Sequence, residues 1–131
     1  MPAQVVVVLD DLGFANQAVD GLAVQNYEAI ALPSPMAALD ALESAVRVEV
    51  LITCTIHAEG QPNGVSLALM AKSKRRDVKV IFVGTREQAR HTEGLGTFLT
   101  SPTSVEVEIE TAVRLHRWRR PLAGWRTRCR G

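Results

Sequence analysis

The sequence predicts a doubly wound α/β fold, a three-layer α/β/α sandwich around a five-stranded parallel sheet. Three observations lead there. Apolar runs such as VVVVL, VEVLIT, VKVIFV and GTFLT are short, and each stops abruptly at small or polar residues. The segments between them are long enough for helices, and several carry apolar residues at helical spacing. Crossovers of that length require parallel strands with right-handed connections and helices on both faces. In such sheets ligands gather outside the carboxyl ends of the strands. Those ends bring together Asp10, Asp11, Cys54, Gly84, Thr85, Thr100 and Ser101.

Taken in order, Val5 to Leu9 form a β-branched run short enough for a strand buried on both faces. Phe14, Ala15, Ala18, Val19, Leu22 and Ala23 then recur on one face of a helix over residues 13–25, with Asn26 as its stop. Residues 27–32 read as a second strand. Ser34 followed by Pro35 supplies an N-cap and a first helical residue. Ala38, Leu39, Leu42 and Ala45 are the buried stripe of that helix. Residues 48–53 form the third strand, and the loop after it contains Gly60 and Pro62. A helix starts near Asn63, with Val65, Ala68, Leu69 and the stem of Lys72 expected inward, and a basic run closes it.

Residues 78–83 are the fourth strand, residues 86–93 a short helical segment, and residues 95–100 the fifth strand. The last element is ambiguous. Val105-Glu-Val-Glu-Ile-Glu alternates with period two, which favours a strand. Thr103 and Glu106 nevertheless fit a capping box. Val105, Ile109, Ala112 and His116 also share one helical face, so a helix is expected, running to about Arg120 before Pro121 interrupts it.

The 131 residues, 47% of them hydrophobic, suit one domain with a real core. No apolar run is long enough for a membrane span, and no secretory leader is recognisable, so a cytoplasmic protein is expected. Two cysteines, Cys54 and Cys129, do not make a disulfide framework. The net charge of +1 hides an asymmetry. Seven of the 15 basic residues are arginines from Arg114 onward, where no acid occurs, leaving eight basic and 14 acidic residues before it, a balance of −6. The expected organisation is a domain over residues 1–117 and a basic Arg/Trp tail over residues 118–131.

The ordered set of motifs resembles the receiver domain of two-component response regulators, the CheY-like fold with strand order 2-1-3-4-5. Its carriers are Asp10-Asp11 after the first strand, VEVLIT leading into a loop that ends Pro62-Asn63-Gly64, and FLTSP at the end of the fifth strand. The resemblance implies a phosphorelay signalling module without enzymatic activity. It places the phosphoacceptor position at Cys54, the hydroxyl position at Gly84 beside Thr85, the lysine position at Ser101, and the switch aromatic at Phe98. Only the acidic pair survives. Acyl-phosphate formation needs a carboxylate that Cys54 lacks, and losing the lysine removes the charge that would stabilise transferred phosphate. Mg²⁺ is a hard cation, so Asp10 and Asp11 alone imply weak binding, and no cofactor is required. The segment between Gly84 and Ser101 leaves little room for a full fourth helix. The expectation is an atypical pseudo-receiver acting by protein–protein contact.

Simpler roles stand beside these. Asp10-Asp11 can be a strand end that caps the next helix. Cys54 can be an inert thiol, because neighbouring acids raise its pKa. Gly60 stands where a thiolate phosphatase needs arginine, and no zinc-like spacing joins His57 to either cysteine. The partner surface is expected at Phe98, Pro102, Trp118 and Trp125, with a signalling protein or a second copy, such as a homodimer, as partner. No DNA-binding domain is expected. Two other functions compete: a small-molecule or redox sensor or enzyme at the strand-end pocket around Cys54, and nucleic-acid or membrane binding by the tail.

Overall fold

The computed structural model describes residues 5–44, 48–55, 63–100 and 104–118. The chain runs β1 (Val5–Val8), α1 (Leu12–Val24), β2 (Ala29–Ala31), α2 (Pro35–Ser44), β3 (Val50–Cys54), α3 (Gly64–Lys74), β4 (Lys79–Gly84), a 3-10 helix (Arg86–Thr92), β5 (Thr97–Thr100) and α4 (Val105–Trp118). All strand pairs are parallel, in the order β2-β1-β3-β4-β5. Both the fold class and the 2-1-3-4-5 order match the expectation.

Alternation along the strands divides the interior into two cores. On one face Val6, Val8, Leu51, Val80 and Phe82 pack under α2 and α3 through Leu39, Leu42, Leu67, Ala68 and Ala71. On the other, Val5, Val7, Val50, Ile52 and Ile81 pack under α1 and α4 through Ala15, Leu22 and Ala112. The four valines of β1 are buried because β1 has a strand on each side and a helix layer on each face. Each such side chain contributes about 1.5–3 kcal/mol of burial.

Helix starts follow their caps. The Asp11 carboxylate accepts from Phe14 N at 3.1 Å, Ser34 Oγ from Ala37 N at 3.2 Å, and Asn63 Oδ1 from Ser66 N at 2.8 Å. After α1, Asn26 takes φ 70°, the left-handed stop that an asparagine tolerates.

Several expectations need correction. Leu69 is 54% exposed, and Leu67 occupies the inward position of α3 instead. Position 67 lies three residues after Gly64 and four before Ala71, so it shares their face, whereas position 69 is turned away. Ala23 is exposed at the end of α1. The cap of α4 is Ser104, whose Oγ accepts from Val107 N at 3.2 Å. Thr103 and Ala45 lie outside the described residues. Strand β3 extends through Cys54, so the thiol belongs to the strand rather than to the loop. The segment after β4 is a short 3-10 helix, as its length implied. No helix among the described residues is long and apolar enough to cross a membrane.

Candidate functional site

The parallel register aligns the strand ends. Val8 lies opposite Thr53, Cys54 opposite Val83, and Gly84 opposite Thr100. Asp10 and Asp11, Cys54, Gly84 and Thr85 therefore meet at one edge of the sheet. Ser101, Pro102, Trp125, Cys129 and His57 lie outside the described residues, and Trp118 is the last residue of α4.

Cys54 points to the α1/α4 side with Val50 and Ile52. It is half-buried, and its Sγ lies 3.9 Å from the Val8 carbonyl, to which the thiol donates. Burial pushes the thiol up to about 11, with the charges of Asp10 and Glu108 adding to the rise against backbone N–H groups that oppose it. The direction agrees with the expectation, but burial rather than the acids is the main cause. A thiol so placed is protonated at neutral pH and is a poor nucleophile.

Asp10 and Asp11 are both exposed, and Asp11 serves α1 as its N-cap. A receiver-type Mg²⁺ site needs a third oxygen ligand. Position 54 supplies only a soft, protonated sulfur, and no group of three His, Cys, Asp or Glu residues among those described could hold a metal ion. The residues present do not fit such a site.

The space a side chain at position 84 would occupy is filled. Thr55 is buried, and its hydroxyl and its amide both donate to the Val83 carbonyl, at 3.2 and 3.0 Å. A Cβ at Gly84 would collide with Thr55 Oγ1 and Gln88 Oε1. Gln88 Oε1 accepts from Thr85 N at 3.0 Å, so Thr85 is the exposed start of the 3-10 helix. Gly64 is equally constrained, because a Cβ there would collide with the Cys54 carbonyl oxygen. Its N–H donates to Thr55 O at 2.7 Å, tying the start of α3 to the end of β3.

Beside these groups lies a groove of about 350 Å³ lined by Thr55, Asn63, Val65, Gln88 and His91. Among the described residues its lining holds no lysine or arginine to balance a phosphate. Phe98, opposite Phe82 in the sheet, is half-buried against the α2/α3 core.

Sequence reasoning missed two buried polar features. Glu108 on α4 is fully buried, neither carboxylate oxygen has a hydrogen-bond partner among the described residues, and burial pushes its carboxyl up to about 7. At the opposite edge, His116 Nε2 lies against Glu49 Oε1, and its Nδ1 lies 3.1 Å from the Tyr27 hydroxyl. The Tyr27 and His116 rings meet edge to face at 4.8 Å. The pattern showed that His116 faces inward but not what it meets, since Glu49 and Tyr27 are remote in sequence.

No protein-family model matches the sequence, and no curated protein matches it significantly. Solved structures do. A response regulator receiver protein from Sinorhizobium medicae superimposes with a TM-score of 0.74 at 19% identity, over 90% of this chain and 98% of that one. A CheY-like receiver domain from Methanospirillum hungatei gives 0.75 at 16% identity, over 91% and 97%. The beryllofluoride-activated NtrC4 receiver domain dimer gives 0.76 at 19% identity, over 89% and 99%. The fold is that of response-regulator receiver domains.

Proposed function

We propose that the chain is an atypical receiver module of two-component signalling that works by contact with a protein partner, without phosphoryl transfer. The observation that carries this reading is the state of the position expected to accept phosphate. Cys54 is a half-buried, protonated thiol, and the neighbouring hydroxyl position is a glycine whose space Thr55 and Gln88 already fill. An acceptor needs an exposed carboxylate, a metal and a hydroxyl or cation around the phosphoryl oxygens. Here only Asp10 and Asp11 remain, and Asp11 is committed to capping. Any Mg²⁺ binding is weak on this reading.

The partner face we assign is the β5 side of the sheet, from Phe98 toward Pro102, together with α4. The NtrC4 receiver structure is a dimer, so self-association belongs among the partners to test. A redox-sensor reading gains no support from a thiol raised to about 11.

The test is incubation with a small-molecule phosphodonor and Mg²⁺, followed by intact-mass measurement. The expected result is no phosphoryl adduct on the native chain. A stable adduct would overturn the reading. Cys54→Asp serves as the comparison that restores a carboxylate acceptor.

A further inference from the structure

A second groove lies between the end of α1 and the start of α4. It has a volume of about 420 Å³ and is lined by Gly21, Val24, Gln25, Glu106, Ile109 and Glu110. Its floor is the close approach of Ile109 to Gly21, where a Cβ would collide with the isoleucine side chain. Its apolar wall is Val24, 80% exposed and the most exposed large hydrophobic residue among those described. Its other wall carries two exposed glutamates and, among the described residues, no cation. Glu106 and Glu110 stand one turn apart on one helix, an arrangement that repels itself unless a positive charge is brought between them.

The described residues supply nothing that covers this surface. The sequence does supply a match. Residues 119–131, RRPLAGWRTRCRG, carry five arginines, no acid, and the apolar pair Leu122 and Trp125. Pro121 ends helical continuation, which allows the chain to reverse there. Four extended residues then cover about 13 Å. The path along α4 from Trp118 back to Glu110 is about 12 Å. A tail that spent residues 119–121 on the turn would therefore bring Trp125 level with Ile109 and Glu110.

We propose that the tail occupies this groove in cis, with Trp125 seated against Val24 and Ile109 and the arginines that follow it paired with Glu106 and Glu110. The tail then covers one side of α4 within its own molecule. This inference uses neither Cys54 nor Gly84 and stands independently of the phosphorylation reading.

The test uses the full chain carrying Trp118→Phe, which leaves Trp125 as the only tryptophan. The expected Trp125 emission is blue-shifted and resistant to acrylamide, and stays so across a wide range of protein concentration. Combining Glu106→Lys with Glu110→Lys is expected to raise the quenching constant severalfold and shift the emission to the red, with helical circular dichroism unchanged. Val24→Glu, a change at an exposed position, is expected to do the same without touching α4. Solvent-like emission before either change would overturn the proposal. So would protection that ignores both changes, or protection that appears only as sedimentation shows dimers, which would place the tail on a second copy.

Discussion

Glu108 is the residue whose chemistry departs most from its surroundings. Its folded carboxyl titrates near about 7 against an ordinary value of 4.5, because burial penalises the charged form. The folded state therefore holds this proton through a range where the unfolded state has released it. The contribution of this group to stability is greatest below pH 4.5, falls as pH rises from 4.5 to about 7, and is a full penalty above that. The penalty is about 3 kcal/mol. Glu108→Leu is expected to raise stability at pH 8 by roughly that amount and to flatten the fall between pH 4.5 and 7, measured by urea unfolding across pH. Gly84 makes the opposite point, that a missing side chain can be structural. Gly84→Ser restores a hydroxyl in the sequence but forces Oγ1 of Thr55 and the Gln88 amide to move. It is expected to cost about 1–3 kcal/mol in the same measurement. Cys54 should alkylate at neutral pH about a hundredfold more slowly than an unhindered thiol, the ratio of thiolate fractions for a rise from 9.0 to about 11. The cysteine at this strand end was plain in the sequence, whereas the plug over Gly84 was not. Thr55 meets that position only once β3 and β4 pair.

At the scale of elements, most of the chain was readable because caps and periods agree. Ser34-Pro35 and Asn63-Gly64 start helices where the sequence placed them, and Asn26 stops one. Asn63→Ala is expected to cost about 1 kcal/mol, seen as a lower thermal midpoint, because Ser66 N loses its acceptor. The α4 segment shows why its pattern looked ambiguous. Glutamates at positions 106, 108 and 110 alternate as in a strand. On a helix at 3.6 residues per turn they separate, with Glu106 and Glu110 exposed and Glu108 inside. The apparent strand signal came from the one glutamate on the wrong side of an amphipathic helix. The error at Leu69 has a different origin. The α3 helix is apolar on more than one side, so hydrophobicity alone could not say which leucine faces the sheet.

For the molecule as a whole, two cores share one sheet, and the central strands bear most of the load. Phe82 is fully buried in the α2/α3 core, and its register partner Phe98 on edge strand β5 is only half-buried. Phe82→Ala is expected to lose about 3–5 kcal/mol in denaturant unfolding. Phe98→Ala should lose clearly less in the same assay. The strand order was legible because crossover length, parallel pairing and the position of the polar strand ends all point to one topology. The Glu49–His116 pair and the groove between α1 and α4 were not, because they arise only when distant segments come together.

The filled space over Gly84 also limits how this surface can be redesigned. A glycine in an open site can be reversed by one substitution. Here Thr55 and Gln88 occupy the vacancy, so a hydroxyl at position 84 fits only after both have yielded room. Carboxylate, hydroxyl and cation would each be of little use alone, and the hydroxyl would first be harmful. Building such a site stepwise thus has to pass through a less stable protein, with the packing around Gly84 acting as the barrier.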